Sequence, residues 1–216
     1  MASMNINHFD ISKTGMLFFD LLNSFIHGGE EDAQARKMPM VKNAVRLMRA
    51  CRAAALPIFF AKANHRSDGF TASNLITDTD TKLKPWHNGI VAWRKPTAVE
   101  GDWGSEVIPE LEPCPDDYYI PKCRYSAFYQ TYLDLALRAR GIDTLIISGG
   151  STDVGVCATV FAGRDHDYHL IVARDACATG HDQRAHDALM ELVFPRMARI
   201  RTTDEIIEMI RGKSAP

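Results

Sequence analysis

Two rhythms of apolar and polar residues alternate along this chain, one of short continuous runs and one of helical repeats. Thr14-Gly-Met-Leu-Phe-Phe-Asp20 is an apolar run closed by an acid. That pattern predicts a central parallel strand buried on both faces, its last residue emerging at the sheet's carboxyl edge. Leu21 to Gly29 reads as a loop leaving the sheet. From Met38 to Ala54, Val41, Ala44, Val45, Met48 and Cys51 recur at helical spacing. Leu56 to Ala61 is a second strand, with Pro57 tolerable only at its beginning. Asp117 to Lys122 is a third, ending in a lysine. Ser126 reads as the N-cap of a helix to about Arg140, with Phe128, Leu133 and Leu137 on its buried stripe and Gly141 ending it.

A fourth strand, Thr144 to Ile147, runs into a Gly149-Gly150-Ser151-Thr152 turn and a segment that enters a helix near Asp153. Tyr168 to Ala173 is a fifth strand. A helix around Ala185 to Val193, a short strand near Arg199 to Arg201 and a last helix from Thr203 close the chain. Strands alternating with helices predict an α/β protein of three layers, α/β/α, around a mostly parallel central sheet of about six strands. One domain spanning residues 1–216 is expected at this length. Only Lys62 to Pro115 breaks the rhythm. This stretch carries His65-Arg-Ser-Asp-Gly69, Trp86-His-Asn-Gly89 and Glu100-Gly-Asp-Trp-Gly-Ser105. So long a stretch without periodicity is expected to be functional, here as ordered excursions that roof a pocket.

Charge and cysteine content narrow the function. A formal net charge of −2 supplies no global field for nucleic acid or an anionic membrane. No apolar run approaches the roughly 18–20 residues of a membrane span, and the N-terminus lacks a basic flank before an apolar core. Five cysteines without a C-x-x-C pair suit reduced thiols and a cytoplasmic protein. The expected partner is a small-molecule substrate, with no nucleic acid and no membrane.

Candidate chemistry gathers at predicted carboxyl ends of strands, where open α/β sheets hold ligands. Asp20 and Lys122 each close an apolar strand. Facing each other at a desolvated edge, they would perturb one another's titration, and the carboxylate could relay a proton. The Gly149–Thr152 turn would bring backbone N–H groups and a helix start over the same edge. His65 and Arg66 follow the second strand and suit either a substrate carboxylate or a solvated loop. Arg124 offers a planar fork for an anion. Phe25, Trp103 and Phe128 are candidates for pocket wall or for core. His181 and His186, on a polar helix, read as surface residues.

These motifs resemble the isochorismatase-like hydrolase superfamily. The resemblance rests on Asp20 in Phe-Phe-Asp-Leu-Leu-Asn-Ser-Phe, Lys122 in Pro-Lys-Cys-Arg-Tyr-Ser-Ala-Phe and Ile-Ser-Gly-Gly-Ser-Thr-Asp-Val ahead of Gly155. Gly141-Ile-Asp-Thr-Leu-Ile-Ile and Asp175-Ala-Cys-Ala add to it, and it runs from about residue 12 to 210. The family's amide-cleaving branch uses an Asp–Lys–Cys triad and a cis peptide before the cysteine motif. By that resemblance the cis bond falls at Gly150–Ser151, where it would aim N–H groups at an oxyanion beside Val154. Here the sequence departs from the branch: the cysteine's slot holds Gly155, which has no side chain and cannot be a nucleophile. Cys157, two positions on, would lie about 200° around a helix.

The isochorismatases proper also carry glycine in this slot. They hydrolyse a vinyl ether by protonating the enol carbon, so Asp20 would be the acid, Lys122 its partner, and Gly155 room for water or substrate. Against this branch, His65-Arg-Ser-Asp-Gly and Trp103-Gly-Ser-Glu-Val look more like carbamoyl-cleaving relatives. A cysteine-independent hydrolase of a small polar metabolite, acting on a vinyl ether or related bond, is nevertheless expected. Its alternatives are an amidohydrolase of a carbamoyl, ureido or other C–N bond, by water attack or through Cys157, and a catalytically inactive family member. His65 lacks the Asp-x-His partner of metal-binding relatives, so neither metal nor cofactor is expected. The resemblance further implies a homodimer or homotetramer.

Overall fold

A computed structural model describes residues 7–72, 80 and 97–212. Its centre is β1 (Thr14–Phe19), all six residues of which are buried. Around it lie β2 (Ile58–Ala63), β3 (Tyr118–Lys122), β4 (Thr144–Gly150), β5 (His169–Ala178) and β6 (Arg199–Arg201). All pair in parallel, in the order β3-β2-β1-β4-β5-β6. The order reverses direction between β1 and β4, and a crevice opens at the carboxyl ends of strands that part in this way.

Strand side chains point alternately to the two faces, and each face builds its own core. Met16, Phe18, Ile58 and Phe60 face α2 (Glu31–Ala53) and α6 (Thr203–Ile210), meeting Ala44, Leu47, Met48, Ile206 and Ile210. Leu17, Phe19, Phe59 and Ala61 face α3 (Leu133–Ala139), α4 (Cys157–Asp165) and the turns at Leu189–Arg196. Two short helices, α1 (Asn23–Ile26) and α5 (Gln183–Ala188), flank the carboxyl edge.

The six expected strands are present, and three helices differ from expectation. α2 begins at Glu31, seven residues before Met38, and runs through Pro39. Its first nine residues, Glu31 to Pro39, bury nothing fully, so no apolar period marks them. Leu21 to Gly29 contains α1 instead of loop alone. The helix expected from Ser126 starts only at Leu133. The Ser126 hydroxyl does accept from the Phe128 N–H (3.0 Å), but Gln130 adopts φ +52°, which breaks the helical path. Between Thr152 and Val156 the chain makes a π turn before α4, so Cys157 does not sit on one regular helix with Gly155. Trp86 to Gly89 falls outside the described residues, as do the rest of residues 73–79 and 81–96 of the proposed roof.

At the chain's far end, Thr202 and Glu205 form a reciprocal capping box on α6. The Thr202 hydroxyl accepts from the Glu205 N–H, and the Glu205 carboxylate accepts from the Thr202 N–H. Losing such a cap costs about 1 kcal/mol. Thr202→Ala is therefore expected to lower Tm by roughly 2–4 °C in a thermal melt; an unchanged Tm would mean that packing alone holds this helix start.

Candidate active site

Asp20 follows β1 directly, with φ +49°. That left-handed backbone costs a non-glycine residue on the order of 1 kcal/mol or more. It is held by hydrogen bonds to β2 at two points. The Asp20 N–H donates to the Ala61 carbonyl (2.8 Å), and Oδ1 accepts from the Ala63 N–H (2.7 Å). Lys122 ends β3, two strands away, where its Cα pairs with Ala63. Adjacent strands lie about 4.8 Å apart, so a lysine stem is long enough to cross β2. Its Nζ donates to Asp20 Oδ2 at 2.7 Å, with the two side chains only 4% and 12% exposed. The two charged strand ends singled out in the sequence thus form one buried ion pair.

A cavity of about 390 Å³ opens over this pair. Phe25, His65, Arg124, Gly150, Ser151, Val154 and Gly155 line it, and the Gly150–Ser151 peptide is cis. The structure adds Lys37 and His181. Lys37 lies in the polar first turns of α2, where no pattern announced a helix, and its ammonium donates to the Phe25 carbonyl. Burial lowers its pKa, with help from Arg36. Arg124 donates through Nη1 to the carbonyls of Thr71 and Cys123, both at 2.7 Å. Among the described residues neither Lys37 nor Arg124 pairs with a carboxylate. Among the described residues the cavity therefore has Lys37 and Arg124 as cations beyond the Asp20–Lys122 pair.

The remaining candidates lie away from the cavity or at its border. Trp103 is 62% exposed and lies outside the lining; its carbonyl accepts from Asn23 Nδ2 at 3.1 Å, which ties its loop to α1. Phe128 is a core residue, its ring stacked between His166 (5.2 Å) and Tyr168 (5.5 Å). His186 is buried, with Nδ1 2.9 Å from the Thr152 hydroxyl, so α5 braces the π turn that carries Gly155. His181 is exposed but borders the cavity. Cys157 is half-buried against the core and absent from the lining; burial raises its thiol pKa, reinforced by Asp153. The thiol in the wall is Cys123, whose Sγ donates to the Asn64 carbonyl at 3.4 Å. No group of three His, Cys, Asp or Glu among the described residues is arranged to hold a metal. No described helix is long and apolar enough to cross a membrane.

Gly155 has a specific neighbour. A Cβ built on it would lie 2.1 Å from Cε1 and 2.4 Å from Cζ of Phe19. The ring fills the space that a side chain at position 155 would need, and Lys122 Nζ stands 4.3 Å from the ring's centroid.

The isochorismatase-domain family model matches residues 14–205, which span the sheet and every element of this site. The chain belongs to the isochorismatase family. Members of this family are hydrolases, and the chain shares their fold. It is 31% identical to a ureidoacrylate amidohydrolase of Methylorubrum extorquens over 78% of this chain and 71% of that protein. An uncharacterised isochorismatase family protein of Escherichia coli, YecD, is 29% identical over 79% of this chain and 83% of its own length. Another from Bacillus subtilis, YwoC, is 37% identical over 52% of this chain, and the match spans 59% of that protein. Among solved structures, N-carbamoylsarcosine amidase from Thermoplasma acidophilum superposes with TM-score 0.69 at 29% identity, covering 89% of this chain and 97% of that one. An isochorismatase family protein from Burkholderia thailandensis gives TM-score 0.77 at 24% identity, covering 94% and 98%, a likeness of fold.

The pocket histidine and the bracing histidine of this family member also set a pH response. Burial lowers the pKa of His65 from 6.5, helped by Lys122 and Arg124 and opposed by Asp20. Burial likewise lowers His186 from 6.5, with Arg174 adding to it and Asp187 and Asp153 opposing. As pH falls through about 6.5 the unfolded chain takes up these protons before the folded one does, so stability drops. Tm is expected to decline between pH 7 and pH 5, and to decline less steeply in His65→Gln/His186→Gln. An identical slope in both proteins would remove the histidines from the account.

Proposed function

We propose that this chain hydrolyses small carboxylate-bearing metabolites without using a thiol, with Asp20 moving the proton and Lys122 as its partner. One observation carries the reading: the Asp20–Lys122 pair is complete at 2.7 Å, while an aromatic ring occupies the space over Gly155. A carboxylate paired with an ammonium, and no side chain at position 155 to attack a carbonyl, suits a bond that breaks after protonation. Lys37 and Arg124, which pair with no carboxylate among the described residues, supply the attraction for a carboxylate, and Phe25 gives the cavity an apolar side.

Vinyl-ether hydrolysis meets these requirements. The substrate's carboxylate sits against Lys37 and Arg124, its vinyl ether reaches Asp20, and Asp20 takes up a proton from water. Asp20 passes that proton to the terminal enol carbon and leaves an oxocarbenium ion. Water adds to the ion and returns a proton to Asp20. The resulting hemiketal collapses to a ketone and an alcohol, so atoms and charge balance. Gly150, Ser151, Val154 and Gly155 border the same cavity, from which the water approaches.

A second reading is hydrolysis of a C–N bond by water, with Asp20 as general base. It is favoured by the resemblance to the ureidoacrylate amidohydrolases and N-carbamoylsarcosine amidase. It also fits the present geometry, in which both oxygens of Asp20 accept hydrogen bonds.

Turnover of isochorismate, ureidoacrylate and N-carbamoylsarcosine distinguishes the two bond types. In either case Asp20→Asn is expected to lose on the order of 100-fold or more in kcat, the usual worth of a general acid or base. Cys123→Ala/Cys157→Ala is expected to keep the wild-type rate. These substitutions are better than alkylation, because a group added to Cys123 would intrude on the cavity. A rate that survives Asp20→Asn rejects the proposal, and one lost with the two thiols transfers the chemistry to sulfur.

A further inference from the structure

The ring over Gly155 is fixed from several sides. Phe19 is 1% exposed and its Cα pairs with Gly149 on β4. Gly149 has φ +126°, and a Cβ there would lie 2.1 Å from the Phe19 carbonyl oxygen. The two backbones thus approach as closely as glycine alone permits. Phe19 cannot retreat along the sheet, because Asp20 is pinned to β2 by its N–H and its carboxylate. One face of the ring meets the Lys122 ammonium at 4.3 Å, a favourable contact for a cation in a desolvated place. Its edge fills the volume beside Gly155.

We propose that Phe19 determines the chemistry of this site: its ring occupies the place of any side chain at position 155, and so holds the Asp20–Lys122 pair against an aromatic wall with no room for a nucleophile. Positions 19 and 155 are then a reciprocal pair, in which a large residue at one demands none at the other. This rests on the reading of Asp20 and Lys122 as the working groups only in the second arm of the test below.

The first arm needs no substrate. Gly155→Ala in the wild-type background drives a methyl into the ring and is expected to lower Tm by roughly 5–10 °C, as overpacking does. In the Phe19→Val background the same change meets open space. Alanine is the better residue in a helical turn, so there it should leave Tm unchanged or raise it. Equal losses in both backgrounds would overturn the proposal. Because each comparison is made within one background, the cavity left by Phe19→Val does not enter the difference.

The second arm asks whether the ring closes a covalent route, with p-nitrophenyl acetate as the probe. Gly155→Cys alone is expected to give no burst of p-nitrophenolate and no acetylated peptide containing position 155. Phe19→Val/Gly155→Cys is expected to give a burst of about one equivalent per chain. The thiol's proton passes to the Asp20 carboxylate, sulfur bonds the acetyl carbon, and p-nitrophenolate leaves. Mass spectrometry locates the acetyl group. A burst from Gly155→Cys alone would overturn the steric claim. The first-arm result together with no burst in the double variant would retain that claim and reject Asp20 as the group that receives the proton. The two failures are therefore distinct.

Discussion

A carboxylate and an ammonium taken out of water together set the terms for the rest of this molecule. Removing two ions from solvent costs several kcal/mol each, and their attraction offsets this only in good geometry with the remaining valences met. Asp20 and Lys122 satisfy that condition through the sheet. The strand between them supplies the Ala63 N–H to one carboxylate oxygen, and the lysine reaches the other. β2 is therefore a spacer and a hydrogen-bond donor at once. Its register against β1 and β3 decides whether the pair exists, and a slip by one residue would turn the Lys122 side chain to the other face.

The surroundings of the pair divide into a rigid side and a wet side. On the rigid side, β4 presses against β1 at Gly149, the His186 imidazole braces Thr152, and the Phe19 ring fills the hollow between. On the wet side stand Lys37, His65, Arg124 and His181, drawn from four different segments. The first group comes from strands and a clamped turn, and the second from loops and a helix start, where change is tolerated.

Much of this was legible in the sequence, for reasons particular to each residue. Asp20 and Lys122 could be found because each is a charge closing an apolar strand, and parallel strands bring their carboxyl ends to one edge. Gly155 could be found because the motif around it keeps its register. Lys37 was hidden because the first turns of α2 bury nothing, so no periodicity betrays a helix there. Phe128 misled because an aromatic after a lysine-ended strand looks the same whether it faces a pocket or His166 and Tyr168. Trp103 was set apart only by the hydrogen bond that fixes its loop, and Cys157 by a π turn that a count of 100° per residue does not include. The occupant of the space over Gly155 was beyond reach, since residues 19 and 155 meet only through the pairing of β1 with β4.

The close approach of that ring to Gly155 also constrains how such a floor could have arisen. A lineage that exchanges sulfur for an aromatic has two possible orders of change. If the ring comes first, both groups compete for one volume and the fold is strained. If the sulfur-bearing side chain goes first, the floor is merely hollow, and a hollow is survivable until a ring fills it. Descent should thus run through chains with a small residue at both positions, and chains bulky at both should be missing.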